Sequence, residues 1–148
     1  MHLFTMRLTT LTDFSLRMLM HLALKPDGRA TIAEVAAAYR VSENHLMKVA
    51  HLLGQAGLLK TLRGRGGGLA LARPASEITA GEAVRSMEPD MERVPCFGSG
   101  PCVLQPACRL KHTLHKARAA FLAVLDETTI ADLIAPEGEL RRLLGIAA

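Results

Sequence analysis

The sequence predicts a mainly α-helical fold: a winged helix-turn-helix unit with a small two-stranded wing, then a cysteine loop, then a long helix suited to dimerisation. Three observations predict it. Two short helical periodicities flank a three-residue turn, a glycine-rich turn joins two apolar runs, and a long amphipathic pattern follows the only three cysteines. With 148 residues, 49% of them hydrophobic, the chain can bury a core of its own. It divides into a winged helix-turn-helix DNA-binding domain over 6–88, a loop over 89–108, and a dimerisation helix with a C-terminal helical segment over 109–148.

The first helix spans Leu11 to Leu24, with Leu11, Phe14, Met18 and Leu22 near one face and Pro26-Asp27-Gly28 ending it. Asp13 falls in its first turn, where a carboxylate meets the positive end of the helix dipole and stabilises by a few tenths up to ~1 kcal/mol. The five residues before Met6 fit no motif. Thr31 and Glu34 form a capping box, and Ile32, Val35, Ala36 and Tyr39 repeat at helical spacing. After Arg40-Val41-Ser42 the pattern resumes with Leu46, Val49, Ala50 and Leu53, from a Ser42 cap to a stop at Gly57. The second of these helices shows Glu43, Asn44, His45, Lys48 and His51 on its polar side. Two short amphipathic helices on a tight turn predict a helix-turn-helix whose second member enters the DNA major groove.

Residues 58–63 then read as a strand, Gly64-Arg65-Gly66-Gly67-Gly68 as a tight turn, and 69–73 as the returning strand closed by Pro74. A basic hairpin behind a helix-turn-helix is a wing. Its glycines leave Arg65 at a thin tip, where a guanidinium can enter a narrow minor groove. A phosphate-cradling nucleotide loop would need a helix directly after the glycines and a Lys-Ser/Thr pair, and neither is present. The DNA-contacting candidates are Ser42, Asn44, His45 and Lys48 on the helix and Arg63 and Arg65 on the wing. Ile78-Thr79 with Glu82 starts a short helix to Met87. From Arg109 to Asp126, Leu110, Leu114, Ala117, Phe121 and Leu125 form a stripe that needs a covering surface. A second copy is the economical answer, and its twofold symmetry would match palindromic half-sites.

Charge supports the division. Residues 1–75 hold ten Lys/Arg against four Asp/Glu, whereas residues 76–148 hold eight against ten. The basic half suits a polyanion such as double-stranded DNA. One Tyr, four Phe and no Trp argue against base stacking of the single-strand-binding kind. No apolar run approaches the ~18 positions of a membrane span. We find no nucleophile-base arrangement, no paired carboxylates in a plausible cleft and no cofactor loop, so an enzyme is not expected.

Cys96, Cys102 and Cys108 are evenly spaced, five residues between neighbours, in a stretch containing Pro95, Gly98, Gly100, Pro101 and Pro106. Soft thiolates gathered on a flexible loop suit an iron–sulfur cluster or zinc, with a fourth ligand from elsewhere. His112 and His115 lie close by in sequence and would allow a Cys/His zinc site. An odd count argues against a self-contained disulfide framework. With nothing at the N-terminus resembling a secretory signal, a reducing cytoplasm is the expected setting.

Four segments together carry a resemblance: Met6-Arg7-Leu8-Thr9 with Thr12-Asp13-Phe14, the run from Ser42 to Val49, the Arg63–Gly68 wing, and three cysteines five apart. They resemble the winged-helix family of iron–sulfur regulators that includes NsrR, IscR and RirA. The helix-turn-helix and wing are shared across that family. The regular cysteine spacing with an aspartate on the first helix favours the NsrR type. The resemblance implies that the three cysteines bind a cluster, 4Fe–4S in preference to 2Fe–2S, and that a carboxylate from the opposite subunit, mapping onto Asp13, is the fourth ligand. It further implies a homodimeric repressor from which nitric oxide, by damaging the cluster, releases promoters of nitric oxide detoxification genes. A sibling regulator of iron or cluster supply, and a winged-helix regulator with zinc or a thiol switch, are the alternatives.

Overall fold

Helix α1 (Thr10–Leu24) begins at Thr9 and is buried on more of its circumference than its sequence stripe suggests: Thr12, Ser15, Met18, Leu19, His21, Leu22 and Leu24 are all buried. A computed structural model of the chain describes residues 8–92 and 102–148. Cys96 therefore lies outside the described residues. Helices α2 (Ile32–Tyr39) and α3 (Glu43–Gln55) follow, and the Thr31–Glu34 capping box at the start of α2 is formed in both directions. The turn between them is made by Arg40, whose φ of 55° places a non-glycine residue in the left-handed region. Ser42 occupies the N-cap position of α3, as expected, but its side chain makes no cap hydrogen bond. Beyond α3, Gly57 takes φ 73° and the Leu58 amide returns to the Leu53 carbonyl at 3.0 Å, which stops the helix.

Strands β1 (Leu59–Leu62) and β2 (Gly68–Leu71) pair antiparallel, Leu59 opposite Leu71 and Leu62 opposite Gly68. An isolated bridge from Ala30 to Leu69 ties this hairpin to the loop before α2. Helix α4 (Ala80–Met87) carries the Thr79–Glu82 capping box, and α5 (Arg109–Asp126) starts at Cys108. Two further short helices, α6 (Ile130–Leu133) and α7 (Glu137–Leu144), resolve the C-terminal helical segment.

One apolar core unites these elements. Met18, Leu19 and Leu22 of α1 meet Val35 of α2, Leu46, Val49 and Leu53 of α3, Leu58 and Leu69 beside the wing, and Ile78 and Met87 around α4. Ile130 of α6 is fully buried in the same core. The backbone secures that return: Ile130 donates to Ile78 O at 2.8 Å and Ala80 to Thr128 O at 2.8 Å, while Arg141 Nε of α7 donates to the α1 carbonyl of Leu24 at 2.8 Å. A cation at the C-terminal end of α1 satisfies a carbonyl that the helix leaves open and complements its dipole.

Helix α5 packs against α4 but buries none of its residues. The stripe expected from sequence is divided. Leu114, Phe121 and Leu125 are half-buried, whereas Leu110 and Ala117 are exposed. Leu110, Thr113, Ala117, Ala120 and Val124, all exposed, form a second row at spacings alternating three and four, the repeat of a helix-to-helix seam.

Candidate DNA interface and cluster site

Leu46, Val49, Ala50 and Leu53 bury one side of α3 and thereby fix its opposite side. Ser42, Glu43, Asn44, His45, Met47, Lys48 and His51 are all exposed. The expected DNA-facing residues Ser42, Asn44, His45 and Lys48 thus share an accessible face. His45 has a second neighbour: its ring lies 6.2 Å from that of Phe14 on α1, tilted by 36°. The recognition helix is therefore in direct contact with the residue that follows Asp13.

On the wing, Arg63 and Arg65 are exposed at the turn. Gly64, Gly66 and Gly68 have φ of 86°, 69° and 141°, conformations that side chains with a Cβ rarely adopt. At Gly68 space is limiting as well, since a Cβ there would meet Ala30 O at 2.7 Å. Arg29 braces the tip through an Nη1 hydrogen bond to Gly66 O at 3.3 Å. A thin, backbone-pinned hairpin carrying arginine at its end can reach into a groove without disturbing the core.

Asp13 stands on the outside of α1, and its Oδ1 accepts from Arg17 Nε one turn on, at 2.9 Å, with both side chains about half exposed. Arg17 is in turn engaged with α2. Its guanidinium carbon lies 5.5 Å from the Tyr39 ring centroid, and its carbonyl accepts from Tyr39 Oη at 3.1 Å. Burial, opposed in part by Arg17, pushes the Tyr39 phenol up to about 12. The Tyr39 ring also meets buried His21 edge-on at 5.9 Å.

Cys102 is exposed and Cys108 half-buried, both free thiols, joined by a single 3₁₀ turn at Gln105–Ala107. Cys108 occupies the N-cap position of α5. Soft thiolates on an accessible loop are a donor set that fits iron–sulfur chemistry. Among the described residues, no three His, Cys, Asp or Glu side chains converge to hold a metal within one subunit, and neither His112 nor His115 joins the cysteines in such a group.

The frame of this region contains residues that sequence reasoning missed. Glu88, at the end of α4, is only 8% exposed, and its Oε1 accepts from Thr9 N at 2.6 Å, Thr9 Oγ1 at 2.8 Å and Thr12 Oγ1 at 2.5 Å. Burial opposes ionisation, but the bonds from Thr12 and Thr9 outweigh it and hold the carboxyl below its usual range. Arg85 of α4 clamps the end of α5, with Nη1 and Nη2 donating to the two carboxylate oxygens of Asp126, the latter at 2.7 Å. Arg118 Nη1 of α5 donates to Met91 O at 3.2 Å. The i,i+4 spacing of Asp13 and Arg17 is a local signal for that pair, whereas no local pattern connects Glu88 to Thr12.

The model of the Rrf2 family, described as iron-dependent transcriptional regulators, matches residues 8–136. Among similar proteins, the HTH-type transcriptional regulator NsrR of Shouchella clausii is 49% identical over 142 residues, covering 94% of this chain and 95% of its own. NsrR of Bacillus subtilis is 45% identical, covering 94% and 97%. Among solved structures, CymR of B. subtilis, the global cysteine regulator, aligns with a TM-score of 0.71 at 29% identity over 88% of this chain and 98% of that one. IscR of T. potens aligns with a TM-score of 0.73 at 26% identity over 92% and 91%.

Proposed function

Because the chain belongs to the Rrf2 family of transcriptional regulators, we propose that it is a repressor whose iron–sulfur cluster senses nitric oxide. It is a DNA-binding transcriptional regulator of the NsrR type, with the winged-helix architecture. The observation that carries the sensing function is the presence, in one chain, of accessible cysteines on a loop and a carboxylate on the helix that touches the recognition helix.

Cys96, Cys102 and Cys108 would hold the cluster, of 4Fe–4S type, with Asp13 of the opposite subunit as the fourth ligand. An oxygen ligand is harder than a thiolate and more weakly held by thiolate-rich iron. When bound, the cluster supplies an iron site open to a small ligand such as nitric oxide. The protein's part is to tie Asp13 to the DNA-binding unit. Asp13 pairs with Arg17, Arg17 packs on Tyr39 of α2, and Phe14 packs on His45 of α3. A change in where Asp13 is held therefore bears on both helices of the helix-turn-helix. The exposed row from Leu110 to Val124 supports a homodimer through α5, its small residues Ala117 and Ala120 allowing close approach. Such a dimer presents two recognition helices to a palindromic operator in the cytoplasm.

Anaerobic purification, a visible spectrum with iron, sulfide and zinc analysis, and operator binding before and after nitric oxide test this function. We expect a brown protein carrying iron and sulfide, and loss of tight operator binding on nitric oxide. Insensitivity to nitric oxide with release on iron depletion would assign it to an iron-sensing sibling, and colourless zinc protein would overturn the cluster.

A further inference from the structure

We infer that Glu88 is the positioning residue for the Asp13 end of α1, its buried carboxylate fixing where that end of the helix stands against the α4–α5 frame that carries the cysteine loop. The inference rests on the proposed cluster site and adds a residue to it.

Thr9 is the N-cap of α1, yet its side chain does not cap the helix. Its amide and hydroxyl both donate to Glu88 Oε1 instead, and so does the buried Thr12 hydroxyl one turn on. A buried carboxylate is tolerated only where donors satisfy it. Here all three come from one turn of one helix, so the contact is formed in full only when α1 has one rotation and one height relative to α4. Asp13 is the next residue after Thr12. A turn of α1 about its axis by a single residue, ~100°, would redirect the Asp13 side chain and separate Thr12 from Glu88 together. The other references are also fixed: Arg85 binds Asp126, and Arg118 binds the Met91 carbonyl, so α4 and the stem of the loop are held against the helix that begins at Cys108. Glu88 thus sets Asp13 relative to its own subunit's frame, and through the dimer relative to the partner's cysteines.

The test compares Glu88→Ala, Glu88→Gln and Thr12→Val with Asp13→Ala as benchmark. In apo-protein, amide hydrogen exchange over residues 9–16 should accelerate about tenfold or more in Glu88→Ala while the α3 core stays protected. After anaerobic reconstitution, Glu88→Ala should show the visible circular dichroism and the faster cluster loss of Asp13→Ala, and the double variant should be no worse than Asp13→Ala alone. Glu88→Gln, which keeps an oxygen for the same donors, should restore the wild-type spectrum. Thr12→Val should fall between, and it decides the matter if Glu88→Ala does not fold. A wild-type spectrum and cluster lifetime in Glu88→Ala or Thr12→Val, where Asp13→Ala alters both, would overturn the positioning role and leave the proposed function intact. No effect of Asp13→Ala itself would remove Asp13 as a ligand and the positioning role with it, a failure visible without any Glu88 variant.

Discussion

Arg65 and Arg40 carry the same charge on neighbouring parts of the DNA-binding unit, but their backbones predict opposite experiments. Arg65 sits exposed at the wing tip between Gly64 and Gly66, both of positive φ. If it enters the minor groove, Arg65→Ala should weaken operator binding by about 1–3 kcal/mol and reduce the salt slope by about one, with an unchanged circular dichroism spectrum. Titrations across a salt series check it, and an unchanged affinity and slope would remove the wing tip from the DNA. Arg40 holds φ 55° at the C-cap of α2. An L side chain there costs roughly 1–2 kcal/mol, partly offset by the greater chain entropy of glycine when unfolded. Arg40→Gly should therefore stabilise the protein by about 0.5–1 kcal/mol in chemical denaturation. His21 makes a third case. It is 3% exposed, and among the described residues nothing hydrogen-bonds its Nδ1. Burial first and Lys25 second pull its pKa below 6.5, against a weaker pull from Glu34. The unfolded chain then binds the proton before the folded one does. Stability present above about pH 6.5 is lost as pH falls through the lowered folded value, and His21→Phe should flatten that part of the stability profile. The glycine-flanked Arg65 was legible in the sequence because turn chemistry is local. The left-handed Arg40 was not, because no glycine marks the turn it makes between α2 and α3, and the buried His21 was not, because its ring is covered by Tyr39 from 18 residues away.

Elements whose start and stop signals are adjacent in the chain were legible for the same reason. The Thr31–Glu34 and Thr79–Glu82 capping boxes begin α2 and α4 as expected, and the Gly57 stop ends α3. Where an element's place depends on distant residues, the sequence was less informative. Leu114, Phe121 and Leu125 share a stripe with Leu110 and Ala117 by periodicity, but packing of α5 on α4 divides them. The reason for that close packing is partly Gly81. A Cβ at this position would collide with Asp126 Oδ1, so glycine lets the Asp126 carboxylate reach Arg85 across the face of α4. The Arg85 hydrogen bond is the largest influence on Asp126 and holds its carboxyl below the usual range. Gly81→Ala should displace the carboxylate and raise the Asp126 titration toward its ordinary value, as read by NMR of the side-chain carboxyl. An unmoved titration would mean that α4 and α5 separate as a unit and preserve the pair. The carboxylate of Glu88 was illegible by the same criterion, since its partners lie 76 and 79 residues away.

At the scale of the whole molecule the candidate site is distributed. Asp13 and the cysteines belong to different elements, and within one subunit the described donors form no three-ligand group, whereas α5 offers an exposed heptad-like row for a second copy. Sequence alone pointed to Asp13 only through resemblance, since a carboxylate in the first turn of a helix has an ordinary electrostatic role and here also pairs with Arg17. A mixed dimer separates these roles. One subunit carries Asp13→Ala and the other Cys102→Ala. With ligation in trans, the first subunit's intact cysteines meet the second subunit's intact aspartate, and one complete site remains per dimer. With ligation in cis, the subunit with three cysteines lacks its aspartate and the subunit with aspartate lacks a cysteine, so no complete site remains. We expect about half the wild-type cluster content per dimer, with the wild-type spectrum and rate of cluster loss in that half. Each homodimeric variant supplies its own control: Cys102→Ala should bind no stable cluster, and Asp13→Ala should bind one that is altered and shorter-lived. Only the Asp13→Ala spectrum in the mixed dimer would place the aspartate on its own subunit's cluster. It would also remove the route by which damage at the cluster reaches the opposite subunit's α1, and with it Phe14 against His45 on the recognition helix.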